Sequence, residues 1–165
     1  MTNETKVEQT SDLERVVTRT FNAPAAAVFD AWTKPELMKQ WWTPKSMPMS
    51  LDACAMDVRT GGTYRLTFTF NGMPPMDFFG RYIEVVPGKK LVWTNEEAGA
   101  DGSTTMLTFD EHNGQTLVTQ TERYPSKEAL EADGAHEAAF ETHRQLDELL
   151  QSVVSREGAR RATKS

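Results

Sequence analysis

The spacing of apolar positions changes period three times along this chain, and those changes divide it into elements. LERVVTRTF (13–21) alternates roughly, with β-branched residues and a closing aromatic, and predicts a strand. Asn22 and Pro24 stop it, and Asn22 is expected to cap a helix with Pro24 near its first turn. In AAAVFDAWT (25–33) the residues Val28, Phe29 and Trp32 share one helical face. Thr33 and Pro35 repeat the cap-and-proline signal. ELMKQWW (36–42) then predicts a second short helix, with Leu37, Met38, Trp41 and Trp42 on its apolar side, closed by Pro44.

Beyond Pro44 the period drops to two. SLDACAMDV (50–58) predicts a strand and TGG a turn. TYRLTFTF (63–70) alternates strictly, placing Tyr64, Leu66, Phe68 and Phe70 on one face. MDFFGRYIEVV (76–86) is a longer strand whose internal Gly80 marks a bulge or bend and leaves the facing of Arg81 open. PGKK turns into LVWTNE, GADGS leads to TTMLTFDE, and HNGQ has the composition of a hairpin turn into TLVTQTERY. After Pro125 the helical period returns. SKEALEADG makes a short helical turn broken at Asp133 and Gly134. AHEAAFETHRQLDELLQSVV then predicts a long amphipathic helix with Ala139, Phe140, His143, Leu146, Leu149, Leu150 and Val153 on its apolar side.

The order β, α, α, six strands, α predicts an α+β domain. Hairpin-length turns imply an antiparallel sheet of about seven strands, and only the C-terminal helix is long enough to cover its apolar face. A curved sheet gripping that helix, with the two short helices closing one end, leaves room for a cavity. The polar, aperiodic residues 1–12 and the basic REGARRATKS (156–165) are expected to be disordered tails around a domain at 13–155.

Composition narrows the partners. A net charge of −6 opposes nucleic-acid binding, which relies on clustered Lys and Arg, so Trp41 and Trp42 are not expected to be a base-stacking platform. No apolar run reaches membrane-spanning length and MTNETKVEQTSD lacks a signal-peptide core, so a cytoplasmic location without membrane insertion is expected. Cys54 is the single cysteine; within its strand it is expected to be a small buried hydrophobe, and no disulfide or zinc cluster can form within the chain.

Several spaced motifs now carry a resemblance. RTFNAPAAAVFDAWTKPELMKQWWTP, DVRTGGTYRLTF, FGRYIEVVPGKKLVWT and TLVTQTERY, in this order and followed by the closing helix, resemble the SRPBCC (START-like) superfamily. Within it they are similar to bacterial proteins related to the C-terminal domain of the heat-shock-protein-90 ATPase activator. The resemblance covers residues 13–155 and implies the helix-grip fold. Its glycines, prolines and aromatics are architectural, and the superfamily spans lipid carriers, receptors, cyclases and co-chaperone domains, so the fold leaves the function open.

Candidate chemistry lies on the faces expected to line the cavity. His136, Phe140 and His143 fall on one stripe of the last helix; histidine suits acid–base work near neutral pH, although a solvated His136 and a polar cavity-lining His143 are the simpler expectation. His143 and Asp147 have i, i+4 spacing but lack a third metal ligand, so no metal site is expected. If Val118 points inward, so do Gln120 and Glu122, a polar pair that must find partners in the cavity or at a strand edge. Met38, Met47, Met49, Met56, Met73, Met76 and Met106 suit core filling. Met47 and Met49 stand apart, because an apolar loop beside the tryptophan pair needs something to cover it. Gly61 and Gly62 form a turn, and no serine–histidine–acid, phosphate-loop or nucleotide fingerprint is present.

The leading expectation is non-enzymatic binding of a small hydrophobic or amphipathic molecule, without cofactor or metal. Trp41, Phe68, Phe70, Trp93, Phe109, Phe140 and His143 would line the cavity and Gln120 and Glu122 anchor the ligand. Trp41 is expected to face the space between sheet and helix, and Trp42 the first strands or the loop. A co-chaperone-like module or homodimer using an exposed WWTPKSMPM surface is the alternative. A cyclase- or hydrolase-like enzyme pairing His143 with Glu122 is the third.

Overall fold

The computed structural model describes residues 4–96, 102–132 and 135–163, with the backbone alone for 135–138 and 156–163. Eight strands appear among them: β1 (Lys6–Gln9), β2 (Glu14–Phe21), β3 (Met49–Met56), β4 (Thr63–Phe70), β5 (Met76–Val86), β6 (Lys90–Thr94), β7 (Thr104–His112) and β8 (Gln115–Arg123). Four helices accompany them: α1 (Ala25–Thr33), α2 (Pro35–Trp41), α3 (Lys127–Ala132) and α4 (Ala135–Thr163). The strands form one sheet in the order β1-β2-β8-β7-β6-β5-β4-β3, antiparallel at every junction. This is the helix-grip arrangement, with one strand more than expected.

The extra strand is β1. Its KVEQ sequence has no apolar period because an edge strand exposes three of its four side chains. Backbone pairing with β2, from Lys6 opposite Thr18 to Gln9 opposite Arg15, orders it instead. Within the stretch expected to be a tail, Lys6–Gln9 is therefore a strand. At the other end α4 runs to Thr163, past the expected boundary at 155. The expected break at Asp133 and Gly134 lies outside the described residues, as does most of the 99–103 link.

Local chemistry sets the turns and caps. Asn113 and Gly114 both take positive φ, 53° and 78°, the two-residue hairpin geometry that HNGQ predicts. Asn22 does not cap α1. The Glu111 carboxylate of β7 reaches across to accept the Ala25 N–H at 2.7 Å, placing a negative group at the helix N-terminus. The register break in β5 falls between Tyr82 and Glu84 rather than at Gly80. Gly80 is needed for close approach: a Cβ there would stand 1.9 Å from the Thr94 carbonyl oxygen. Arg81 faces outward and pairs with Glu96 at 3.0 Å.

The core follows the predicted alternation. Tyr64, Leu66 and Phe68 of β4 are buried on the concave face with Leu91, Leu107, Phe109 and Val118 of the neighbouring strands. The principal partners of α4 are α1, α2 and β2. The helix thus lies towards one flank of the concave face, and a space remains between it and the middle strands.

Candidate functional site

That space is a cavity of about 690 Å³, within the range of pockets that enclose drug-sized molecules. Its wall takes Trp32 from α1, Met38 and Trp41 from α2, Trp42 and Met47 from the segment beyond, Met49 from the start of β3, and Ala139, Thr142 and His143 from α4. The sheet supplies Met56, Tyr64, Leu66, Phe78, Tyr82, Trp93, Thr105, Gln120 and Glu122. Thus Trp41, Trp93, Gln120, Glu122 and His143 come together on this wall.

Four expected lining residues do not reach the cavity. Phe68 is buried behind Trp42 and Phe78, with ring centroids 6.1 and 4.8 Å away. Phe109 packs edge-on against Phe29 and Trp32 under α1, so it belongs to the core at the closed end. Phe70 ends β4 opposite Met49, at the sheet margin. Phe140 is 46% exposed, because the buried stripe of α4 runs through Thr142, His143, Leu146 and Leu150. One residue turns a helix by about 100°, which carries Phe140 off the stripe that Ala139 occupies. The side chain of His136 lies outside the described residues.

The tryptophan pair divides its work within the cavity. Trp41 is 4% exposed, stacks edge-on against Trp32 at 4.7 Å, and donates its Nε1–H to the Ala31 carbonyl at 3.0 Å. Trp42 packs on Phe78 at 5.3 Å and Phe68 at 6.1 Å, so it faces β4 and β5 rather than the first strands. The chain beyond them is tied to α4. Gln145 donates to the carbonyls of Trp41 at 3.0 Å and Thr43 at 2.8 Å, and accepts the Lys45 N–H at 2.8 Å. Glu141 accepts the Ser46 N–H at 2.8 Å and the Ser46 hydroxyl, and these bonds hold its carboxyl below the usual range. Gln145→Ala removes all three of its bonds and is expected to cost about 1–3 kcal/mol in urea unfolding. Glu141→Ala, at an exposed position, is the control expected to cost less.

Polar side chains interrupt the apolar wall: Asn95 bonds Tyr64, Ser103 and Thr105 within it, and two further groups centre on Glu122 and His143. At one, Glu122 accepts Gln120 Nε2–H at 2.6 Å and the Tyr124 hydroxyl at 2.5 Å. Arg15 lies behind them, with Nη1 3.5 Å from the Tyr124 hydroxyl and Nη2 donating to the Leu130 carbonyl at 3.3 Å. At the other, His143 is 3% exposed and its Nδ1 lies 3.0 Å from Thr5 Oγ1. Arg19 Nη1 donates to the same hydroxyl at 3.2 Å, and Arg19 Nη2 stands 3.6 Å from Asp147 Oδ2. Burial, with the Arg19 guanidinium adding, lowers the His143 pKa from 6.5 to about 4, so the ring is neutral near pH 7. Burial also pushes the Tyr82 phenol up. Cys54 lies outside the wall, half-buried, and burial likewise raises its thiol.

Thr5, Arg19, Tyr64, Tyr82, Tyr124 and Gln145 were not among the expected site residues. Arg15 and Arg19 did carry a signal, since they alternate with Val17 and Phe21 on the inward face of β2. Nothing local marks Thr5 or Gln145; only tertiary contact gives them partners.

An antiparallel sheet gripping a long helix around an apolar cavity defines the START-like class. The family model described as Activator of Hsp90 ATPase homolog 1-like protein matches residues 22–151, and the chain belongs to that family, within the SRPBCC superfamily. No curated protein matches the chain. A crystal structure from Nitrosomonas europaea superposes with a TM-score of 0.78 at 25% identity, over 89% of this chain and 99% of that one. One from Rhodobacter sphaeroides gives 0.81 at 21% identity, over 90% and 99%. The solution structure of an AHSA1-like protein from Aeromonas hydrophila gives 0.66 at 17% identity, over 84% and 93%. Among the described residues no helix is long and apolar enough to cross a membrane.

Proposed function

We propose that this chain binds a small hydrophobic or amphipathic molecule, without catalysing its conversion, in the cavity between sheet and α4. The observation that carries this reading is the cavity itself, about 690 Å³ and walled chiefly by aromatic and methionine side chains. Burying an apolar ligand there yields about 25 cal/mol per Å² of surface removed from water. The methionines Met38, Met47, Met49 and Met56 let the wall adapt to its contents.

The placement of the tryptophans supports binding over a protein-docking role. Trp41 is buried and Trp42 packs inward on Phe78, so neither indole offers the exposed anchor that a WWTPKSMPM surface requires. An acid–base role for His143 draws no support from a ring kept neutral and engaged at Nδ1 by Thr5. The test is uptake of N-phenyl-1-naphthylamine, an uncharged fluorophore that brightens in apolar surroundings. Saturable enhancement that weakens when Leu66→Trp fills the cavity is expected. An emission unchanged by the protein, or unaffected by Leu66→Trp in a folded variant, defeats the reading.

A further inference from the structure

The polar groups of the wall bear on the class of ligand, and the inference drawn from them rests on the binding reading above. The Thr5 hydroxyl accepts from Arg19 Nη1 at 3.2 Å and lies 3.0 Å from His143 Nδ1, and the hydroxyl proton is assigned to that nitrogen. A neutral imidazole that accepts at Nδ1 carries its proton on Nε2. His143 therefore brings a neutral N–H donor to the cavity wall. Its ring is fixed edge-on to Phe21 and Trp32, at 5.6 and 6.4 Å.

Charge is arranged in the same sense. Among the described residues, no Lys or Arg lines the cavity, and Glu122 is its single acidic side chain. Both Glu122 oxygens accept hydrogen bonds from within the wall, from Gln120 and Tyr124. The two buried arginines nearby are engaged within the protein: Arg15 bonds Tyr124 and the Leu130 carbonyl, and Arg19 bonds Thr5 and pairs with Asp147. An anionic ligand would lose its hydration without meeting a cation, and it would enter beside a carboxylate. A cationic ligand would have to draw Glu122 away from donors it already holds.

We infer that the cavity selects an uncharged molecule: an apolar skeleton bearing a carbonyl, ether or hydroxyl oxygen that accepts a hydrogen bond from His143 Nε2–H. Carboxylates, phosphates and ammonium groups are disfavoured. The proton distribution set by Thr5 and Arg19 makes His143 a donor towards the ligand.

Displacement of N-phenyl-1-naphthylamine at pH 8 by four chains of matched length tests this: 2-dodecanone, dodecan-1-ol, dodecanoate and dodecylamine. The ketone and alcohol are expected to compete about tenfold better than either ion. His143→Leu is expected to weaken the ketone about fivefold relative to the fluorophore, and His143→Gln, which keeps a donor, to restore it. Dodecanoate or dodecylamine competing as well as the ketone overturns the inference while leaving cavity binding intact. A ketone affinity that a folded His143→Leu leaves unchanged overturns the role given to Nε2–H. Failure of the fluorophore itself to bind overturns the binding reading, and this inference with it. Should His143→Leu fail to fold, the comparison of the four chains on the unaltered protein still decides the charge preference.

Discussion

Asp147→Ala is expected to lower the stability of this protein by about 3–5 kcal/mol in urea unfolding, and Arg19→Met combined with Asp147→Leu to recover most of the loss. Arg19 sits on the inward face of β2 with 6% of its side chain exposed, and Asp147 of α4 is the carboxylate it meets, at 3.6 Å. Burial pulls the Arg19 pKa below its usual value, and Asp147 opposes that shift. Arg19 Nε and Asp147 Oδ1 are both buried without a partner among the described residues, so the pair is imperfectly compensated. Removing the carboxylate alone strands a desolvated cation, which is the costly outcome. Replacing both with apolar side chains removes the desolvation cost as well as the attraction, and such exchanges are commonly neutral or stabilising. A double variant no more stable than Asp147→Ala would sink this account.

The same pair shows where the sequence stopped being readable. Period-two alternation located β4 at Thr63–Phe70 and β5 at Met76–Val86, because strands with one buried face must alternate. The bounds of α1 were equally plain, since apolar spacing and a proline both marked them. Alternation from Val118 also carried Gln120 and Glu122 into the cavity wall. Layering was not legible. Phe109 has the right face but lies under α1, and Phe68 the right face but lies behind Trp42, because period says which way a residue points and not what stands in front of it. β1 escaped detection because its order comes from pairing with β2. The Thr5 hydroxyl and His143 are 138 residues apart in sequence, and no local pattern encodes such a contact.

The burial of His143 sets the largest pH effect expected of the molecule. The His143 pKa falls from 6.5 to about 4 on folding, through burial first and the Arg19 charge second. Above the unfolded value the ring is neutral in both states and costs nothing. As pH falls below 6.5 the unfolded chain takes up a proton that the folded one refuses, so stability declines until both are protonated below the folded value. Linkage gives a loss of about 2 kcal/mol between pH 7 and pH 5, rising to about 3 kcal/mol at the acid limit. Asp52, Asp77, Glu96 and Glu141, whose carboxyls hydrogen bonds hold below their usual range, add their own losses only at still lower pH. Urea unfolding of the unaltered protein and of His143→Gln at pH 7, 6 and 5 separates the contribution. The glutamine variant is expected to lose most of the slope across that window while remaining folded at pH 7. Parallel stability profiles for the two proteins would mean that His143 is not held neutral by its surroundings. The Thr5–His143 contact would then lose its claim to fix which ring nitrogen faces the cavity.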